Sequence, residues 1–140
     1  MNTKAKPLYR MTAVLFLLFA GLHTAGFTTF RPTSPDALAV WESMNRVSID
    51  GSRATFYGFY SGFGFFITGY LVFSALLAWR LGSVTVAEVE MVRGIAWLLF
   101  GLQLVNVVLC VQYFGPLQAL LAAACGFGLA SAALRTQPAV

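Results

Sequence analysis

The sequence predicts an all-α integral membrane protein: an antiparallel bundle of four transmembrane helices, with a short extracytoplasmic surface helix between spans one and two. Three observations carry this. Only 10% of the 140 residues are charged and 59% are hydrophobic, whereas soluble domains carry about 25% charged residues. Three long stretches, Met11–Phe30, Ala54–Trp79 and Gly94–Leu134, contain no Asp, Glu, Lys or Arg. The basic residues behind the net charge of +4 gather at the ends of these stretches, where they set topology rather than bind nucleic acid. Four spans with short connections use up the chain, so one membrane domain over 1–140 is expected.

The first span, about 8–27, follows Lys4, Lys6 and Arg10. A basic start before an apolar run also describes a signal peptide, but this run is longer than a signal core and no A-x-A site closes it. It reads as an uncleaved span. In the connection that follows, Ser34-Pro35-Asp36 is a helix start: a Ser N-cap, Pro at the first helical position and an acid in the first turn. Leu38, Trp41 and Met44 then recur every three residues, which predicts a surface helix over about 35–47 with Trp41 as its anchor. Asp50-Gly51 marks the turn after it.

Span two, about 55–79, is long enough to cross with tilt. Gly58, Gly62 and Gly69 share one face, suited to close helix contact, with small-faced span four as the expected neighbour. Tyr57, Ser61, Gly64 and Thr68 form a second, polar stripe, and Phe59, Phe63, Phe66, Tyr70 and Phe73 a third face toward lipid. Thr85 with Glu88 makes a capping box and Val84 with Val89 a hydrophobic staple, so the third helix starts near Val86. The 41-residue run Gly94–Leu134 is too long for one span. Gly115-Pro116 divides it into span three, about 92–114, and span four, about 117–134. Ala122, Gly126 and Ala130 are spaced by four, which lets helix backbones approach closely. Six Lys or Arg lie at the termini and the second loop, against Arg31, Arg46 and Arg53 on the other side. That imbalance puts both termini in the cytoplasm.

His23 is the only histidine, and it shares a helix face with Phe16, Phe19, Phe27 and Phe30. Ionisable groups within a span turn to the bundle interior and are often functional. The alternative is a packing histidine that hydrogen-bonds a neighbouring helix. Gln103, Asn106, Cys110 and Tyr113 make a polar edge on span three, to be read as interhelical glue or as part of a site. A buried amide without a partner costs several kcal/mol, about 2–7. Ser61, Thr68, His23, water or a ligand head group must therefore satisfy Gln103 and Asn106.

Depth brings these groups together with Tyr57, Tyr60 and Gln112, all in the outer half. The surface helix, with Trp41, Glu42 and Asn45, is placed to lid them, and Arg53 to pair Glu42 or hold an anionic head group. The expectation is a Phe-walled pocket open to the outer leaflet, binding a lipid, quinone or isoprenoid at His23, Trp41, Glu42, Asn45, Arg53, Tyr57, Tyr60, Ser61, Gln103, Asn106 and Tyr113. An enzyme using His23 as acid or base on such a molecule is the alternative. A structural or accessory subunit, with the Gly58/Gly62 pair facing a second copy or a partner membrane protein, is another. No cofactor is evident. One histidine excludes a bis-histidine haem within the chain, and Cys110 and Cys125 match no metal or redox spacing and read as inert thiols.

With GLHTAGF at 21–27, SMNRVSIDGSRATFYGFYSGFG at 43–64 and QYFGP at 112–116, most of the chain resembles a family of small four-span bacterial membrane proteins. Its members share H-T-x-G-F in the first span and F-Y-x-G-F-G in the second. The resemblance implies four spans and singles out His23, Arg53, Tyr57 and Tyr60, without assigning an activity. Better-known four-span families fit less well. The chain lacks the span-one acid of small multidrug exporters, the thiol motifs of membrane disulfide enzymes, and the cavity acids of sterol-isomerase-type bundles.

Overall fold

A computed structural model describes residues 5–83 and 89–136. It holds five helices: α1 (Ala5–Thr29), α2 (Pro35–Arg46), α3 (Phe56–Leu81), α4 (Val89–Tyr113) and α5 (Pro116–Arg135). All but α2 are long and apolar enough to cross a membrane, and the chain is an all-α integral membrane protein. The spans begin or end up to three residues beyond the sequence estimates. Lys4 and the expected capping box and staple at Val84, Thr85 and Glu88 lie outside the described residues, so α4 is described from Val89.

Local chemistry fixes the element ends. The Ser34 hydroxyl accepts from Ala37 N at 3.3 Å and starts α2, as its Ser-Pro-Asp signal requires. Thr55 does the same for α3, accepting from Gly58 N at 3.1 Å. Between them, Ile49 O accepts from Ser52 N at 2.9 Å. Gly51 takes φ 74°, the third position of a type II turn. The α4–α5 hairpin turns on Gly115 at φ 141° and ψ 177°, a backbone region open essentially to glycine alone. Pro116 opens α5, where its missing N–H has no partner to lose.

Around the bundle, α3 packs on α1, α1 on α5 and α5 on α4, whereas α3 and α4 barely meet. Alanines line the close seams; Ala5, Ala78, Ala96, Ala122, Ala132 and Ala133 are fully buried. Where lipid is as apolar as leucine, such close approach drives association. At the chain-terminal end, the Tyr9 and Thr136 hydroxyls bond at 3.0 Å, and the Arg10 guanidinium lies 4.9 Å over the Trp79 ring. The opposite end carries α2. The α4–α5 seam puts Gly126 against Gln103, with room for a Cβ only at 3.3 Å from the Gln103 Cβ. The α1–α5 seam uses Gly128 against Thr12.

Span two departs from expectation in two ways. The face built for close contact is that of Gly64, Leu71, Ala75 and Ala78, which are buried. A Cβ at Gly62 or Gly69 would meet nothing within 4 Å, and one at Gly58 only its own helix start. Among the described residues the Gly58–Gly62–Gly69 stripe therefore packs against no other helix, and α5 turns to α4 and α1 instead. Two small-residue faces compete on this helix, and the neighbour takes the one that also offers Thr68 for hydrogen bonding. Tyr70, read as lipid-facing, is half-buried because its hydroxyl has a partner on α4.

Candidate functional site

A cavity of about 370 Å³ opens at the α2 end of the bundle, walled by all four spans. From α1 come Phe19, His23 and Phe27, with Phe30 just past its end, and from α3 Tyr60 and Ile67. Asn106 and Cys110 on α4, Phe114 in the turn after it and Gln118 on α5 complete it. Three of the seams around it are closely packed and the α3–α4 seam is loose.

His23 reaches the cavity through a glycine. Its Nε2 lies 3.1 Å from Gly64 O, and since a carbonyl can only accept, Nε2 carries a proton and donates. The approach is possible because Gly64 has no side chain: a Cβ there would sit 2.9 Å from the Phe27 ring, which itself stacks on His23 at 5.3 Å. In the neutral ring Nδ1 is then the acceptor. It makes no hydrogen bond among the described residues, where no buried side-chain nitrogen or oxygen lacks a partner. Nδ1 is therefore accessible, and His23 is among the residues that line the cavity.

One turn on, the Thr24 and Thr68 hydroxyls meet at 2.8 Å, and Thr68 also lies 3.1 Å from Gly64 O. Its single proton serves one of the two. Given to Thr24, it leaves the Gly64 carbonyl to His23.

From the cavity wall at Cys110 and Asn106 a polar chain runs down α4 and across the loose seam. Gln103 Nε2 donates to the Tyr70 hydroxyl at 2.7 Å, Asn106 Nδ2 to Gln103 Oε1 at 3.3 Å, and Cys110 Sγ to Asn106 Oδ1 at 3.7 Å. Gln103 is completely buried and bonded at both ends, so it holds helices together. Asn106, one turn nearer the mouth, keeps a second N–H and borders the cavity.

Of the sequence candidates, the structure brings His23, Tyr60 and Asn106 to the cavity. Trp41 does not line it but borders an adjoining groove that shares Phe30 and Tyr60 with the cavity, 4.7 Å from Tyr57 and 6.0 Å from Phe30. The others stand apart. Tyr57 packs on Trp41 rather than lining the space. Ser61 is half-buried away from it, and Gln112 is exposed. Tyr113, on the last residue of α4, is 70% exposed with nothing opposite. Glu42 and Arg53 are exposed, and Asn45 turns back to bond Trp41 O at 2.8 Å. The amide partner sequence reasoning missed is Tyr70; an aromatic stripe gives no sign of which hydroxyl is satisfied. Gln118 was also missed, though a lone amide just past Gly115-Pro116 in an otherwise apolar span is a legible signal.

Cys110 and Cys125 are free and buried. Among the described residues no three His, Cys, Asp or Glu side chains cluster as a metal site. Compared with known families, characterised proteins and solved structures, the chain matches none.

Proposed function

We propose that this chain is a membrane-embedded binding protein that takes a lipid, quinone or other lipophilic small molecule into the cavity at the α2 end. The supporting observation is the pairing of aromatic walls with unspent hydrogen-bonding capacity on His23 and Asn106, in a space of ligand-pocket size. Packing alone gives no reason for an accessible imidazole nitrogen at this depth. With six basic residues at the terminal side against three at the other, both termini lie in the cytoplasm of a bacterial cell and the cavity opens to the outer leaflet.

Native mass spectrometry of protein extracted in mild detergent tests this. The binding reading predicts one lipophilic molecule per chain. Gly26 borders the cavity and a Cβ there meets nothing within 4 Å, so Gly26→Leu, its fold checked by melting temperature, is expected to fill part of the cavity and abolish retention. A wild-type chain that carries no such molecule, or a Gly26→Leu chain that carries as much, overturns the reading.

A second reading, acid–base catalysis on the bound molecule, draws on the placement of His23 beside Asn106 and Tyr60. It predicts that the molecule recovered from His23→Phe protein differs chemically from that recovered from wild type. Identical molecules leave binding alone.

A further inference from the structure

The cavity's polar groups are few enough to be read as a complement. We infer that the polar end of the ligand is an uncharged hydroxyl, an alcohol or a phenol, which donates to His23 Nδ1 and accepts from Asn106 Nδ2. Its apolar remainder lies along the phenylalanine walls and leaves through the α3–α4 seam. This rests on the binding reading above and narrows its chemistry.

Charge comes first. No Asp, Glu, Lys or Arg lines the cavity. The arginines nearest in sequence, Arg31 and Arg53, are exposed, and Arg31 covers the outer face of Trp41 at 5.6 Å. An ionic head group would be desolvated at membrane depth without a fixed counter-charge, which is strongly unfavourable.

Hydrogen-bond arithmetic comes second. His23 Nε2–H is spent on Gly64 O, which leaves Nδ1 as an acceptor. Asn106 spends one N–H on Gln103 and one lone pair of its oxygen on Cys110, which leaves one donor, and the Tyr60 hydroxyl and Gln118 amide on the same wall add others. A carbonyl, as in a quinone, or an ether oxygen can take such a donor but gives Nδ1 no proton. A hydroxyl does both.

Exit comes third. The α1–α3, α1–α5 and α4–α5 seams are closed by packing, whereas among the described side chains α3 and α4 are joined by the single bond from Gln103 to Tyr70. A tail longer than the cavity has one lateral way out, along that seam.

The test is binding of three matched, radiolabelled probes to the full chain in mild detergent: farnesol, its methyl ether and farnesoic acid. Farnesol is expected to bind saturably, and the ether, which cannot donate, roughly five- to tenfold more weakly. The acid is expected to bind more weakly than the alcohol. His23→Phe, its fold checked by melting temperature, loses the preference for alcohol over ether. Equal binding of alcohol and ether, or tighter binding of the acid, overturns the hydroxyl assignment and leaves the cavity as a binding site. No saturable binding of any probe overturns both.

Discussion

Gly64 is the residue on which the site turns. It admits the Phe27 ring and gives His23 a bare carbonyl, so Gly64→Ala is expected to displace Phe27 and destabilise the bundle by about 1–3 kcal/mol, the usual range for overpacking. Gly62→Ala and Gly69→Ala, which meet open space, are expected to stay within about 1 kcal/mol of wild type. Unfolding in mixed micelles checks the contrast. Similar losses at all three glycines would show that the Gly58–Gly62–Gly69 face is packed after all. At this scale the sequence was informative about His23 and Asn106, because a lone ionisable group and a deep amide stand out in apolar spans. It was not informative about Gly64. Nothing in a glycine's identity tells whether its missing side chain is filled by a ring or by lipid, and the regular spacing of Gly58, Gly62 and Gly69 pointed to the wrong face.

Among the elements, the α4–α5 hairpin and the α3–α4 seam behave oppositely. The hairpin depends on the φ 141° of Gly115. Gly115→Ala places a Cβ in a glycine-only region and is expected to cost about 1–3 kcal/mol, measurable in the same unfolding assay. The seam depends on one side-chain bond. Tyr70→Phe and Gln103→Leu, singly and together, form a double-mutant cycle whose coupling is expected at about 0.6–1.7 kcal/mol, the span seen for hydrogen bonds within membranes. Zero coupling would mean that the 2.7 Å contact holds nothing. The elements themselves were largely legible. Ser34-Pro35-Asp36 and Gly115-Pro116 act through local backbone chemistry, and uncharged runs set the spans. Their neighbours were less so, because the order α3–α1–α5–α4 depends on which of several small-residue faces meet, a choice made by side-chain fit between distant segments.

For the whole molecule, three tight seams and one loose one frame a cavity at the α2 end. A ligand that binds only this folded form stabilises it by mass action, by about 2.7 kcal/mol at a hundredfold excess over its Kd. Farnesol is therefore expected to raise the melting temperature of wild type and leave Gly26→Leu unchanged. An equal rise in both would place the effect outside the cavity. That His23, Tyr60 and Asn106 share one phenylalanine-walled space could be read from depth along the spans. Its full membership could not. Exposed Tyr113 and half-buried Ser61 share faces with cavity residues yet do not line it, and Glu42, Asn45 and Arg53 are exposed.

The central claim is that His23 offers Nδ1 to a ligand while Nε2–H is held by the backbone. Because His23 is the only histidine, ¹⁵N-histidine labelling in lipid nanodiscs yields one pair of ring resonances. The neutral ring should show a protonated Nε2 and a bare Nδ1, and farnesol should shift Nδ1 while Nε2 stays in place. A protonated Nδ1 with a bare Nε2, or an Nδ1 indifferent to saturating farnesol, would contradict the claim.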